Sequence, residues 1–140
     1  MRALIDTCVI LDALQGRVPF EKDAQDIFLL AAGGRFIGCI TAKSVTDIYY
    51  LTHRLTHSDS ETRAILQKLC SLFEVVDTAG VDCLHALPSA VSDFEDAVMA
   101  ETAKRLEADC IITRNDVDYK AAGMKICSPQ AFIRELETQE

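Results

Sequence analysis

The chain has 140 residues, of which 49% are hydrophobic, and its formal net charge at pH 7 is −8. The length fits one domain over residues 1–140, with enough apolar side chains to bury a core. The acidic balance argues against passive binding to nucleic acid through a basic surface, but it leaves open a site whose charge is reversed by bound metal.

The sequence carries no signal for membrane insertion or export. No stretch approaches the roughly 18 consecutive apolar residues of a membrane span, and the N-terminal segment reaches Asp6 too early for a signal peptide. We therefore expect a cytoplasmic protein without membrane association. The six cysteines form no Cys-x-x-Cys pair, and Cys39 and Cys110 lie within apolar runs, so we expect reduced thiols that pack as small hydrophobic residues.

Apolar runs alternate with amphipathic segments along the first half of the chain. Arg2–Ile5 is predicted as a buried strand that ends at Asp6. The elements predicted after it are a short helical turn through Val9–Leu11, a helix over Phe20–Ala32 stopped by Gly33 and Gly34, a strand over Phe36–Ile40, a helix capped by Thr41 that runs to about Leu55, and a helix to about Leu72 that opens with a Ser58–Glu61 capping box.

The second half continues the alternation. The predicted elements are a strand over Phe73–Asp77, a short helix near Val81–Leu87, a helix to about Glu107 that opens with a Ser92–Glu95 capping box, a strand over Cys110–Thr113, a fifth strand over Met124–Cys127 and a last helix from Ser128-Pro129. Strands that alternate with helices predict a three-layer α/β/α fold, with a mainly parallel central sheet of four to five strands.

Acidic side chains are predicted to gather at one edge of this sheet, outside the carboxyl ends of the strands, where open α/β sheets bind ligands. Asp6 closes the first strand, and Asp47 lies about one and a half turns into the helix that leaves the second. The other candidates are Asp93 and Asp96 in the first turn of the helix before strand four, and Asn115, Asp116 and Asp118 after that strand. Crowded carboxylates repel each other, and a hard divalent cation such as Mg²⁺ or Mn²⁺ relieves that repulsion. The joint placement therefore predicts a metal site.

Each acid taken alone also has an ordinary structural interpretation. Asp6 suits a helix cap, Asp93 is favourable in any first helical turn, and Asp116 and Asp118 suit a turn. Asp47 is harder to explain in this way, because it is an acid in mid-helix at the border of the buried face. The three histidines are scattered, so they offer no zinc site, and no Ser or Cys has the setting of a nucleophile.

Three ordered segments resemble the PIN-domain family, in particular the bacterial toxin ribonucleases of toxin–antitoxin systems. Leu4–Asp12 is similar to the N-terminal motif of that family, Ser92–Ala97 (Ser-Asp-Phe-Glu-Asp-Ala) to its third acidic motif, and Ile111–Asn115 followed by Asp118-Tyr119 to its fourth. Ser128–Phe132 matches the usual start of the C-terminal helix. The likeness spans essentially the whole chain.

The resemblance implies hydrolysis of RNA phosphodiester bonds with Mg²⁺ or Mn²⁺ as cofactor. It assigns Asp6, Asp47 and Asp96 as catalytic metal ligands, Asp93 as a ligand or an acid just outside the ligands, Asn115 as a further ligand through its amide oxygen, and Thr7 as a group that orients the first ligand or a metal-bound water. Asp116 and Asp118 are also expected just outside the ligands. The resemblance also implies a homodimer and an antitoxin partner. The antitoxin is expected between the helices over Phe20–Ala32 and Asp47–Leu55, with a cation that reaches the acids.

Three positions depart from the commonest family pattern. Cys8 stands where Asn is usual, Asp47 where Glu is common, and Asn115 where Asp is frequent. A shorter acid and a neutral amide predict weaker metal affinity. The alternative function is therefore a catalytically weak or inactive PIN module that binds RNA or a protein partner.

A phospho-accepting receiver domain is a third interpretation, because Asp77 ends the third predicted strand. The first strand, however, lacks the adjacent acidic pair that such domains use. The fifth strand ends in Ser128-Pro129 rather than in a Lys next to Pro. These two differences make the receiver the weakest of the three interpretations.

Overall fold

The computed structural model describes residues 1–140, which form five strands and seven α-helices. The strands are β1 (Arg2–Ile5), β2 (Ile37–Thr41), β3 (Glu74–Val76), β4 (Cys110–Ile112) and β5 (Ile126–Cys127). The helices are α1 (Thr7–Gln15), α2 (Glu21–Ala32), α3 (Ala42–Thr56), α4 (Asp59–Leu72), α5 (Gly80–Ala86), α6 (Phe94–Arg105) and α7 (Pro129–Thr138). A 3₁₀ turn over Lys120–Ala122 precedes β5.

The central sheet is entirely parallel and has the order β3-β2-β1-β4-β5. Ala3 of β1 pairs with Gly38 of β2 on one side and with Cys110 of β4 on the other. The chain fills one half of the sheet with β2 and β3 and the other half with β4 and β5, so the direction of winding reverses beside β1. The predicted three-layer α/β/α fold with a parallel sheet is confirmed. Ligands bind at such a reversal in open α/β sheets.

Side chains along β1 alternate between two cores, because successive residues of a strand point to opposite faces. Ala3 and Ile5 lie in the larger core, to which helices α1, α2, α4 and α7 contribute. Leu4 lies in the smaller core, where Ala100 and Ala103 of α6 are buried. A sheet covered on both faces needs apolar residues at every position, which is why its strands read as continuous apolar runs.

The predicted bounds of two helices need correction. Instead of a short turn over Val9–Leu11, α1 runs over the nine residues Thr7–Gln15, and Gly16, whose φ is 61°, is its C-terminal cap. The buried Asp12 interrupts the apolar pattern that would have shown this length. The cap of α6 is Asp93 rather than Ser92, since Asp93 Oδ1 accepts a hydrogen bond of 3.0 Å from the backbone N–H of Asp96.

The caps predicted for α3 and α4 are confirmed. Thr41 Oγ1 accepts a hydrogen bond of 3.0 Å from the backbone N–H of Ser44, and Ser58 Oγ accepts one of 3.2 Å from that of Glu61. Each cap satisfies a backbone donor at a helix start that has no partner within the helix. The Thr41 cap fixes the beginning of α3, the helix that carries Asp47.

The strand order excludes the receiver interpretation. In flavodoxin-like domains such as receivers the third strand lies beside the first, in the order 2-1-3-4-5. Here β3 is an edge strand separated from β1 by β2. Asp77, which follows β3, therefore stands two strands away from Asp6.

None of the helices is both long enough and apolar enough to cross a membrane. Cys39 and Cys110 are buried among apolar side chains, as their sequence context predicted.

Candidate active site

A crevice of about 350 Å³ opens at the carboxyl ends of β1 and β2, beside the first turn of α6. Its lining comes from three parts of the chain: Asp6 and Thr7 after β1; Lys43, Ser44, Asp47, Tyr50, Leu51 and Arg54 of α3; and Glu95, Asp96 and Met99 of α6. Asp6, Asp47 and Asp96, which the sequence predicted as converging acids, all line this one crevice.

Asp6 is held in a fixed position at the end of β1. Its backbone N–H donates to the carbonyl oxygen of Ile112 at 2.9 Å, which extends the β1–β4 pairing by one step. Its Oδ2 accepts hydrogen bonds from Thr113 Oγ1 at 2.8 Å and from the Tyr119 hydroxyl at 3.3 Å. The residue is only 8% exposed, and burial raises the pKa of its carboxyl above the ordinary value despite these two donors.

Asp96 lies in the first turn of α6, where burial and the negative charges of other acids raise its pKa. Burial, together with repulsion from Asp6 and Asp93, raises its pKa to about 6, and Asp118 adds to the repulsion. The nearby Tyr119 hydroxyl acts in the opposite direction but does not compensate. The carboxylates therefore lie close enough to disfavour one another's charge.

Lys43 supplies a cation inside the crevice. Its Nζ lies 2.6 Å from Asp47 Oδ2, one helical turn away, and 3.3 Å from Glu95 Oε1 of α6. Partial burial disfavours the charged ammonium, but the two carboxylates outweigh that effect and raise the pKa of Lys43. Lys43 thus ties α3 to α6 across the crevice and neutralises part of its charge.

Hydroxyl groups join the beginnings of α1 and α3 beneath the acids. Thr7 Oγ1 donates to Ser44 Oγ at 2.9 Å, and Thr41 Oγ1 lies 3.0 Å from the same atom. Ser44 and Thr41 are almost fully buried, with 1% and 3% exposure. The network sets the position of α3 relative to Asp6, and hence the separation of Asp47 from Asp6.

The remaining predicted site residues lie outside the lining of the crevice. Asp93 caps α6, as described above, and acts on Asp96 through its charge. Asn115 and Asp116 are exposed, and Asp116 Oδ1 accepts from the backbone N–H of Val117 within a turn. Asp118 is also exposed, yet it contributes to the repulsion at Asp96. A metal role for these residues stays a prediction.

Cys8 lies beside Asp6 and contacts Thr113, with 3.8 Å between Sγ and Oγ1. Burial and the neighbouring charge of Asp6 raise the pKa of the thiol to about 11. Cys8 is therefore a neutral thiol at physiological pH, and the thiolate form that binds metals and reacts with electrophiles is absent.

A buried ion pair joins α1 to the segment after β4, next to the site. Asp12 of α1 is 1% exposed, and its Oδ2 accepts a hydrogen bond of 2.8 Å from Nε of Arg114, the second residue after β4. The guanidinium carbon of Arg114 lies 4.4 Å from the centre of the Phe20 ring. Because a buried unpaired carboxylate is costly, this pair fixes α1 to the end of β4, and so fixes the two segments that position Asp6.

Several of these contributors were not singled out from the sequence. The ion pair of Lys43 with Asp47 could have been predicted, because Lys43 stands four residues before Asp47 on the same helix face. The sequence points less clearly to Tyr119, which is an aromatic residue within a polar segment after β4. The pairing of Asp12 with Arg114 joins residues far apart in the chain, and no local pattern points to it.

The donor atoms of the crevice suit a hard divalent cation. Asp6, Asp47 and Asp96 offer only carboxylate oxygens, which Mg²⁺ and Mn²⁺ prefer. The raised pKa values of Asp6 and Asp96 mark a cost of charge that a cation would remove. No group of three or more His, Cys, Asp or Glu side chains stands in a ready metal-binding arrangement. Asp47 is paired with Lys43 at 2.6 Å, so an ion held by all three acids would compete with that ion pair.

Comparison with known proteins identifies the family. The profile described as the PIN domain matches residues 2–116. The chain belongs to the PIN-domain family. No curated protein matches this PIN domain significantly in sequence.

Solved structures of bacterial proteins share the fold. VapBC2 from Rickettsia felis, bound to a DNA fragment from its promoter, has a chain with a TM-score of 0.66 and 14% identity, over 91% of the present chain and 98% of the other. FitAcB from Neisseria gonorrhoeae has a chain with a TM-score of 0.67 and 18% identity, over 91% of the present chain and 98% of the other. A toxin–antitoxin complex from Klebsiella pneumoniae has a chain with a TM-score of 0.64 and 20% identity, over 91% of the present chain and 97% of the other. At these identities the likeness concerns the fold, and it covers nearly the whole length of each chain.

Proposed function

We propose that this PIN domain is a metal-dependent endoribonuclease that hydrolyses RNA phosphodiester bonds. The observation that carries the proposal is the meeting of Asp6, Asp47 and Asp96, from three separate elements, in one crevice. Burying Asp96 near Asp6 costs free energy, as the pKa of about 6 at Asp96 indicates. Perturbed acids that converge in a cleft are typical of functional sites.

In the proposed site, Asp6, Asp47 and Asp96 hold Mg²⁺ or Mn²⁺, and Asp93 and Asn115 are further oxygen ligands. A bound ion would activate water and offset the charge that develops on the phosphate. Thr7, Asp116 and Asp118 are proposed to lie just outside and orient these ligands. The Thr113 and Tyr119 hydroxyls both donate to Oδ2 of Asp6, so they fix the direction in which that carboxylate presents itself.

The wall of the crevice formed by α3 suits a nucleic acid strand. Lys43, Asp47, Tyr50 and Arg54 are three or four residues apart, so they lie along one face of the helix. Tyr50 is 67% exposed and can stack on a base, while Lys43 and Arg54 can contact phosphates. These two cations offer phosphate contacts beside the acids in a chain whose net charge is −8.

We further propose that the protein is the cytoplasmic toxin of a toxin–antitoxin pair and forms a homodimer. Support comes from the solved complexes with the same fold, described above. The net charge of −8 also favours a partner segment rich in Arg or Lys. We place that segment between α2 and α3, from which a cation could reach the acids.

Cleavage by purified protein tests the proposed activity. With Mn²⁺ or Mg²⁺ it should cut a mixed-sequence RNA, and EDTA should stop the reaction. Asp6→Asn should abolish cleavage while the fold is kept, because the amide oxygen can still accept from Thr113 and Tyr119. Asp77→Asn is the matched control, since this exposed acid follows edge strand β3 and does not line the crevice. Cleavage by Asp6→Asn at the wild-type rate would contradict the assignment.

The alternative function, a PIN module that binds RNA or protein without cutting, is favoured by one contact. Lys43 pairs with Asp47 Oδ2 at 2.6 Å, so a metal ion would compete with this cation for the second acid. An inactive module would show weak metal binding and no cleavage by any variant. Restored cleavage in Lys43→Met would instead indicate an active site held back by this ion pair.

The partner is tested separately from the activity. A small protein encoded by the neighbouring reading frame should co-purify with this chain and inhibit its cleavage of RNA. Absence of such a protein, with cleavage intact, would leave a nuclease that acts alone.

A further inference from the structure

A second cavity, of about 250 Å³, adjoins the acidic crevice. It lies between the end of β2, the segment after β3 and the outer face of α6. Its lining residues are Thr41, Lys43, Thr78, Cys83, Phe94, Glu95, Val98, Met99 and Thr102. The volume is below that of typical ligand pockets, which run from about 300 to 1,000 Å³, so it suits one ring system rather than a large molecule.

The two cavities share a wall. Lys43, Glu95 and Met99 line both of them. The contact of 3.3 Å between Lys43 Nζ and Glu95 Oε1 stands on that wall. A polymer whose reacting group lies among the acids would therefore place its neighbouring unit at the mouth of the second cavity.

The walls of the second cavity are mostly apolar. Phe94, Val98 and Met99 present side chains to it from one face of α6, and Phe94 is half exposed, at 50%. These apolar walls suit the flat face of an aromatic ring. Lys43, the one cation in the lining, is already paired with Asp47 and Glu95.

One polar atom in the cavity lacks a partner. The Thr102 hydroxyl donates to Val98 O at 2.8 Å and lies 3.1 Å from Asp82 Oδ2, and the Thr41 hydroxyl bonds Ser44. The Thr78 hydroxyl oxygen, in contrast, is buried and makes no hydrogen bond. Buried polar atoms are nearly always paired. Because Thr78 lines the cavity, a rotation of its side chain would let this unpaired hydroxyl bond a ligand there.

We propose that this cavity binds one nucleobase of the RNA, on the nucleotide next to the phosphate held in the acidic crevice. The base stacks on Phe94, packs against Val98 and Met99, and exchanges a hydrogen bond with Thr78. The pocket thereby gives the enzyme a preference for the base beside the cleaved bond. This inference rests on the proposed ribonuclease function.

A side chain from a protein partner is the competing occupant. A base is favoured because the cavity is continuous with the acidic crevice and combines a ring-sized apolar slot with a single hydrogen-bonding group. A partner helix or strand would need a long apolar groove. This cavity is short, with a volume of about 250 Å³ and only nine lining residues.

Direct binding tests the cavity without any need for cleavage. The full chain is titrated with each of the four ribonucleoside 5′-monophosphates, and amide NMR shifts are followed. We expect shifts at Thr78, Phe94 and Val98, larger for one base than for the others. Ribose 5-phosphate, which lacks a base, should leave them unchanged. Val98→Phe should abolish the shifts by filling the cavity, whereas Leu29→Phe, on the exposed face of α2, should not.

Cleavage specificity gives the second measurement. Thr78→Val keeps the shape of the side chain and removes the hydroxyl, so the preference among bases beside the cleaved bond should fall about three- to tenfold. The variant should unfold at the same temperature as the wild type or a higher one, because the lost hydroxyl had no partner.

The outcomes separate this inference from the proposed activity. Base-dependent shifts that Val98→Phe removes, in a protein that cuts no RNA, would support the cavity and refute the nuclease. Cleavage whose base preference is unaffected by both Thr78→Val and Val98→Phe would refute the cavity and leave the nuclease intact. Shifts caused by a basic partner peptide but by no nucleotide would also refute the cavity as a base site.

Discussion

Replacing Asp96 with Asn should stabilise the metal-free protein at neutral pH, although the substitution removes a proposed metal ligand. The pKa of Asp96 is raised from its ordinary 3.8 to about 6 by burial and by repulsion from Asp6 and Asp93. A rise of this size corresponds to about 3 kcal/mol. Asp96 is partly exposed, so solvent screening reduces the figure to about 1–2 kcal/mol.

An opposing effect reduces the gain. Asp96 lies in the first turn of α6, where a negative charge stabilises a helix by about 0.3–1 kcal/mol. The repulsion and burial are larger than this helix effect, so the net stabilisation at about pH 7.5 is about 0.5–1.5 kcal/mol. For a chain of this size it corresponds to a rise of about 2–5 °C in Tm.

The stability gained in Asp96→Asn should depend on pH if it comes from removing the repelled charge of Asp96, and a stabilisation of any other origin would not show this dependence. Between about pH 4 and pH 6 the folded wild type holds a proton on Asp96 that the unfolded chain has lost, so its stability falls as the pH rises through that range. The Asn side chain does not titrate. The advantage of the variant should therefore be absent near pH 4 and complete above about pH 7.

Urea denaturation in EDTA, at about pH 4 and about pH 7.5, measures both quantities. Glu95→Gln is the control, because it removes a neighbouring charge from the same helical turn and should lower stability rather than raise it. Adding Mn²⁺ should reverse the ranking, since the wild type gains more from binding the ion. A variant that is equally stabilised at both pH values, or destabilised at pH 7.5, would refute the account of crowded acids.

Three further predictions concern the metal and the sheet. Asn115→Asp adds a charge near the proposed ion, so the metal concentration for half-maximal cleavage should fall; an unchanged value would exclude Asn115 from the surroundings of the metal. Lys43→Met frees Asp47, so calorimetry should show about two- to fivefold tighter Mn²⁺ binding, and weaker binding would contradict the competition we describe. Gly38→Ala places a Cβ 2.6 Å from Cδ1 of the buried Phe73, so urea denaturation should show a loss of about 1–3 kcal/mol.

The fold could be predicted because its signals are local and repeated. β1, β2 and β4 are buried on both faces, so each reads as a short apolar run, and the segments between them carry helical periodicity. The strand order could not be derived in the same way. It became evident only when pairing placed β4 beside β1 and left β3 at the edge.

The three acids of the crevice could be predicted because of a rule about sheets rather than a motif. Residues that follow parallel strands reach the same edge, as Asp6 and Asp47 do. The helix before β4 runs back across the sheet, so its first turn, which carries Asp96, reaches that edge as well. The rule does not say which acids of a cluster enter the crevice and which serve as caps. Asp93 caps α6, and only the hydrogen bond from Asp96 N–H reveals it.

The contacts that hold the acids in place were beyond prediction from one sequence. Asp12 is buried against Arg114, which follows β4. Tyr119 is fully buried although its neighbours in the sequence are polar and charged. Its hydroxyl donates a hydrogen bond to Asp6 Oδ2. In both cases a buried polar group is explained by a partner distant in the chain, and local patterns contain no information about such a partner.

The charge of the protein links metal binding to RNA binding. A chain of net charge −8 repels RNA at long range, and in the crevice the acids outnumber the cations Lys43 and Arg54. Without a divalent ion, Lys43 is also occupied by Asp47 and Glu95. An ion that takes Asp47 from Lys43 does two things at once: it lowers the negative charge of the crevice and releases a cation towards the phosphate. Metal should therefore be required for the strand to enter as well as for its cleavage, and each should strengthen the binding of the other.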